Sequence, residues 1–146
     1  MPGQQLARGV CRALRSYDFA SLVEFIPCAG LRVDVMALGP AGEFWVIECK
    51  SSRADFNADN KWQHYLPWCD RFFWAVPPDF PIQILPPQTG LMRADAYGAE
   101  IIHMGPKTQL PPARRLAQTL RFARSAAWRD QGARDIGVSA FLTPPP

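Results

Sequence analysis

Two apolar runs, LRVDVMAL (Leu31 to Leu38) and EFWVIECK (Glu43 to Lys50), flank the short segment GPAG (Gly39 to Gly42), and no other stretch constrains the fold as strongly. Short runs rich in β-branched and aromatic residues, separated by a Gly/Pro turn signal, are the pattern of a β-hairpin. Antiparallel pairing of the two is the simplest geometry. The middle of the chain is thereby committed to a sheet that the other segments must cover. With 146 residues, 48% of them hydrophobic, there is enough chain for one compact domain with a real core and too little for two. We therefore read residues 1–146 as a single domain.

Before the hairpin, Leu6, Val10, Ala13, Leu14 and Tyr17 recur at helical intervals, with Arg8, Arg12 and Arg15 on another side of the same wheel. This predicts an amphipathic helix with a basic face that ends at Asp18. FASLVEFIP (Phe19 to Pro27) follows as a first strand, interrupted by Glu24 and stopped by the proline and the Ala29-Gly30 pair. After the hairpin, SSRADFNADNKWQHYLPWC predicts one helix ending near Pro67, with Ser52 and Asp55 as a capping box and Trp62, Tyr65 and Leu66 facing inward. RFFWAVP (Arg71 to Pro77) is strand-like, so the order is α-β-β-β-α-β, a mixed α/β class. Five prolines between Pro77 and Pro87 favour an extended surface connection. Two short strands around a Gly98 turn come next, then an Arg-rich helix that opens with prolines.

A formal charge of +3 and a pI of about 8.8 make the chain mildly basic, which permits an acidic partner without demanding one. The N-terminal stretch has no continuous apolar segment of the kind a secretory signal needs, and no run is long enough to cross a bilayer. We expect a soluble, cytoplasmic protein with no membrane partner. Cys11, Cys28, Cys49 and Cys69 are scattered singly, which predicts reduced thiols and no zinc, redox or iron–sulfur motif. His64 and His103 each stand alone and read as surface residues. No helix-turn-helix or zinc-finger signature appears, so sequence-specific DNA reading is not supported.

Side chains alternate across a strand, so Glu48 and Lys50 share one face while Ile47 and Cys49 point into the core. Asp34, in the middle of the neighbouring apolar strand, needs a cation or a hydrogen-bond donor, and Glu48 cannot be that partner. A divalent cation between the two carboxylates would remove their repulsion. Mg²⁺ suits such a site because it takes one or two carboxylates and leaves room for waters and phosphate oxygens. A lysine beside it could assist an attacking water and offset charge growing on phosphorus. These parts fit phosphodiester hydrolysis. A plainer reading makes Lys50 a solvated strand-end charge paired with Glu48 at the surface, and Asp55 and Asp59 helix-start charges. The arginines of the first and last helices read either as phosphate contacts or as solvated helix faces.

The arrangement Asp34…Glu48-Cys49-Lys50, with its element order from Leu6 to Val76, resembles the PD-(D/E)xK nuclease superfamily, whose restriction-endonuclease-like core also runs α-β-β-β-α-β. The continuation ECKSSRADFNADNKWQHYLPWCDRFFWAVPPDFP, then TGLMRADAYGAEI and the Arg-rich helix, is similar to the MmcB-type DNA repair proteins over nearly the full length. The resemblance implies a DNA substrate, branched, damaged or single-stranded, and a repair role as a Mg²⁺- or Mn²⁺-dependent endonuclease. It makes Asp34, Glu48 and the Cys49 carbonyl metal ligands and Lys50 the catalytic base or charge stabiliser. Glu24 would join through water. The chain has no acid on its first helix, where many superfamily members carry one. Lys61 and Tyr65 stand at the spacing of a Q-x-x-x-Y pattern and, with Ser51 and Arg53, are candidate DNA contacts. The alternative is a DNA-binding or partner-recruiting repair module with a non-catalytic nuclease fold. Cutting two strands would take two centres, so a homodimer fits, although no interface signature supports it.

Overall fold

The computed structural model describes residues 2–135. Its first element is helix α1 (Gly3–Ser16), which exists because Leu6, Val10 and Leu14 make one fully buried stripe along it. The helix ends where Asp18 takes a left-handed φ of 67° and the Phe19 amide donates back to the Leu14 carbonyl. Strands β1 (Ala20–Cys28), β2 (Leu31–Leu38) and β3 (Phe44–Cys49) follow, then helix α2 (Arg53–Asn57) and a 3₁₀ segment, Trp62–Trp68. Strand β4 (Arg71–Val76), a second 3₁₀ segment (Ile82–Ile84), strands β5 (Gly90–Ala94) and β6 (Ala99–His103), and helix α3 (Pro112–Arg134) complete the fold.

The six strands lie side by side in chain order. β1, β2 and β3 run antiparallel to their neighbours, β3, β4 and β5 run parallel, and β6 returns antiparallel. The fold is thus mixed α/β with a mixed sheet, and the expected hairpin is β2–β3. α1 covers one face, packing Leu6, Val10 and Leu14 on Val35, Trp45, Ile47, Phe73 and Met92. α3 and the first 3₁₀ segment cover the other, with Phe122 and Tyr65 against Phe25, Val33, Phe44, Phe72 and Trp74. Burial on both faces explains why β3 and β4 are almost uninterrupted apolar runs.

Three local expectations need correction. The helix predicted from Ser52 to Pro67 is broken: α2 stops at Asn57 and a separate 3₁₀ segment begins at Trp62. In that tighter winding three residues make a turn, so Trp62 and Tyr65 share the inner face while Leu66 is exposed. β1 continues through Pro27 to Cys28, which is tolerated because β1 is an edge strand. The proline-rich connection holds the 3₁₀ turn at Ile82–Ile84. The Ser52 cap is present, its hydroxyl accepting from the Asp55 amide at 3.1 Å.

Asp70, whose side chain is 1% exposed, fastens three elements at the start of β4. Its carboxylate accepts from the Phe44 and Leu110 amides at 2.7 and 3.0 Å and takes both Arg115 nitrogens at 2.9 and 2.6 Å. Arg115 also donates to the Gly42 carbonyl at 2.7 Å, so hairpin, sheet and α3 meet at one charge pair. Burial works to raise the Asp70 pKa, but the guanidinium and the two amides outweigh it and hold the carboxyl below the ordinary range. A lowered carboxylate pKa contributes stability above the unfolded-state value, and that contribution is lost as pH falls through the folded one. Asp70→Ala is expected to destabilise the fold by about 3–5 kcal/mol in urea titration at neutral pH. The difference from the native chain should shrink on acidification below about pH 4; a loss under about 1 kcal/mol at neutral pH would contradict this role.

Candidate functional site

The hairpin ladder runs from Leu38↔Phe44 to Val35↔Ile47 and then stops. Beyond it β3 leaves β2 for β4, pairing Cys49 with Ala75 and donating the Lys50 amide to the Ala75 carbonyl at 3.0 Å. Two carboxylates bridge the opening between β2 and β3. Glu48 Oε1 accepts from the Asp34 amide and Asp34 Oδ2 accepts from the Cys49 amide, both at 2.8 Å. Each side chain thus replaces a ladder bond on the opposite strand. The partner that Asp34 needs is therefore the Cys49 backbone. Because the N–H and C=O of one strand residue point the same way, the Cys49 carbonyl is directed into the same opening, while its thiol packs in the core beneath α1.

Side-chain alternation slips at this point on both hairpin-side strands. Val33 packs on the α3 face, yet Val35, two residues on, packs on the α1 face. Leu22 and Phe25, three apart on β1, both pack on the α3 face. Between them Glu24 takes a left-handed φ of 51°, unusual for a residue with a side chain. The pairs Val23↔Val35 and Phe25↔Val33 place Glu24 across from Asp34, so the two kinks coincide. Arg129 of α3 clasps this kink, donating to the Val23 and Glu24 carbonyls at 2.6 and 3.2 Å.

The electrostatics are those of crowded acids. Glu48 is 3% exposed, and burial followed by the negative charge of Asp34 pushes its carboxyl up to about 9. Asp34 is also raised, by burial, against the pull of the Cys49 amide, a hydrogen bond with Glu48 and the Lys50 charge. Their mutual interaction lowers the pKa of Asp34 and raises that of Glu48, so Glu48 is the acid of the pair that more readily holds a proton. Lys50 does not pair with Glu48. Its ammonium lies 2.9 Å from Asp59 Oδ2, with both side chains largely buried. Burial works against the Lys50 charge, but the hydrogen bond and charge of Asp59 outweigh it and raise the lysine pKa. Asp59 Oδ1 also accepts from the Lys61 amide at 2.7 Å. Held from two sides, Asp59 lies in the break between α2 and the 3₁₀ segment.

These groups line one cleft of about 1170 Å³. Asp34, Glu48, Cys49, Lys50, Ser51, Lys61, Tyr65 and Glu24 all lie on its wall, whereas Arg53 does not. Ser51 is engaged within the chain, its amide donating to Asp55 Oδ2 at 3.0 Å. Tyr65 is mostly buried and stacked on Phe72, and burial and the Glu48 charge push its hydroxyl pKa upward. Sequence reasoning missed the part Asp59 plays and missed Arg32 on the cleft wall; Arg8, one of the first-helix arginines read either as phosphate contacts or as a solvated face, also lies there. Arg32 lies two residues before Asp34 on one strand, a spacing that signals a shared neighbourhood; nothing local signals Asp59.

Most arginines of α3 are occupied at home. Arg115 pairs with Asp70, Arg129 holds β1, and Arg134 pairs with Asp130. Arg114 donates to the Pro67 carbonyl and covers Trp68, and Arg124 covers Trp128. Among the described residues no helix is long and apolar enough to cross a membrane. Among them, too, no three or more His, Cys, Asp or Glu side chains are grouped to hold a metal ion. A metal in the cleft would therefore rest on two carboxylates, with backbone and water completing its shell.

No curated protein matches the sequence. Among solved structures the chain is similar to the SPO1766 protein of unknown function from Silicibacter pomeroyi, with 61% identity, a TM-score of 0.90 and 92% of each chain covered. A family model described as DNA repair protein MmcB-like matches residues 3–136. With nearly the whole chain matched, the protein belongs to the MmcB-like DNA repair protein family.

Proposed function

We propose that this cleft binds the DNA backbone during repair and hydrolyses it, as a Mg²⁺-dependent endonuclease built on a PD-(D/E)xK core. The observation that carries the proposal is the pair of carboxylates bridging the β2–β3 opening. Each spends one oxygen on a backbone amide and leaves the other without a backbone donor among the described residues. That donor set, with the Cys49 carbonyl directed alongside, suits a hard divalent cation. Asp34 and Glu48 would hold Mg²⁺, or Mn²⁺, which when bound would offset their charge and polarise a phosphate oxygen.

The chain's own groups supply the rest. Lys50, kept charged by Asp59, is suited to balance negative charge on the phosphate and poorly suited to take a proton. Of the two roles the resemblance implies for it, we assign charge stabilisation. Arg8, Arg32 and Lys61 surround the acids with positive charge, which draws a phosphodiester backbone into the cleft. The second reading, a repair module that binds DNA without cutting it, draws support from Lys50 being already neutralised by Asp59.

Cleavage assays on single-stranded, duplex, mismatched and branched DNA with Mg²⁺ or Mn²⁺ decide between the two. Asp34→Asn and Lys50→Ala are each expected to lose about 10²-fold or more in rate. Metal-independent cutting, or full activity in Asp34→Asn, would sink the mechanism. DNA binding by every variant with cutting by none would establish the binding module.

The raised Glu48 pKa carries its own prediction. An acid whose folded-state pKa lies near 9, against about 4.5 unfolded, contributes most stability below the unfolded value and loses it as pH rises toward 9. In EDTA, the melting temperature of the native protein should therefore fall relative to Glu48→Gln between roughly pH 5 and 9. Mn²⁺ should raise the melting temperature of the native protein near pH 8 and leave Glu48→Gln nearly unmoved. Equal metal shifts in both proteins would contradict metal binding by Glu48.

A further inference from the structure

The arginines of α3 are largely bound to carbonyls, carboxylates or aromatic rings of the chain itself. On α1, Arg8 meets the Tyr97 ring, and Arg12 and Arg15 enter no salt bridge, side-chain hydrogen bond or ring contact among the described residues. Spaced four and three residues apart, these three fall within about 60° on the helical wheel, on the side opposite the buried Leu6, Val10 and Leu14. They make one stripe about 10 Å long on the outer face of α1.

The stripe joins two concavities. Its near end, Arg8, is on the wall of the carboxylate cleft; its far end, Arg12 and Arg15, lines a second hollow of about 750 Å³ bounded by Phe19, Leu38 and Pro40. Of the residues lining that hollow, Asp18 alone carries negative charge. Arg8 also lies over the ring of Tyr97, 5.9 Å from its centroid. Tyr97 is 74% exposed on a rigid turn, where Asp95 Oδ1 accepts from the Tyr97 and Gly98 amides at 2.7 and 3.0 Å. The turn is locked onto α1, because a Cβ on Gly9 would collide with the Asp95 carbonyl oxygen.

We propose that the α1 stripe is a track for the DNA backbone leaving the cleft, with Tyr97 as a stacking platform for a base beside Arg8. The inference rests on the reading of the cleft as a DNA site and extends it by naming the path of the strand. A stripe about 10 Å long can follow consecutive phosphates of a single strand. An open aromatic face beside the track fits an unpaired base better than a stacked one, which makes single-stranded or flap-bearing DNA the matching ligand class.

The test is fluorescence anisotropy with labelled oligonucleotides in EDTA, across a salt series, using the full chain. Arg12→Ala/Arg15→Ala is expected to weaken binding at low salt and to reduce the slope of log K against log salt by about 0.7 per residue for single-stranded DNA. Tyr97→Ala should lower affinity for single-stranded DNA by about fivefold or more and leave blunt duplex binding unchanged. Arg124→Ala on α3 serves as the charge control and should leave the slope alone. An unchanged slope in the double variant, while the native protein binds DNA, overturns the track and leaves the cleft reading standing. Absence of DNA binding by the native protein, both in EDTA and with Ca²⁺ in its place, overturns both.

Discussion

Burying two carboxylates against each other is the constraint around which the centre of this protein is organised. Asp34 and Glu48 stay within the sheet because each accepts a backbone amide from the opposite strand, at the place where the β2–β3 ladder ends. Remove either acid and an amide loses its partner in a partly buried setting, at a cost of about 1–3 kcal/mol. Keep both without a cation, and one must hold a proton, which is what the rise of Glu48 toward 9 expresses. The strands part because the acids bridge them, and the acids are paired because the strands part.

The surroundings serve that opening. β3 moves to a parallel neighbour just as it leaves β2, so its backbone stays satisfied while Glu48 and Lys50 line the cleft. β1 kinks at Glu24, across from Asp34, and Arg129 reaches from α3 to hold the kink by its carbonyls. Farther off, the Asp70–Arg115 pair ties α3 to the hairpin turn, so the helix that clasps β1 is anchored at its own start. A long Arg-rich helix that reads in sequence as a polyanion-binding surface thus works largely as a brace.

Much of this was legible in the residues, and the limits are instructive. The hairpin, β4 and α1 follow from local patterns, alternation and helical periodicity, which survive in any tertiary setting. Asp34 stood out because an acid inside an apolar run must find a partner; the superfamily resemblance rested on it with Glu48 and Lys50, and the family resemblance on the long continuation that starts at Glu48. The slip in β2 was not legible: Leu31, Val33 and Val35 alternate in sequence as on one face, yet Val33 and Val35 pack on opposite faces of the sheet. The break after α2 was hidden, since it coincides with Asp59 reaching Lys50 across the fold and no local propensity encodes that pairing. The partners of the α3 arginines were hidden for a related reason: composition counts charges, but only the fold assigns their partners.

The central claim is that Asp34 and Glu48 form a divalent-cation site. The most direct test is anomalous diffraction from crystals soaked in Mn²⁺. The account predicts an anomalous peak within bonding distance of both carboxylates and the Cys49 carbonyl, at about 2.0–2.2 Å from each oxygen, absent in Asp34→Asn crystals. Carboxylates that keep their amide contacts, with no manganese between them in a protein that still cleaves DNA, would contradict it.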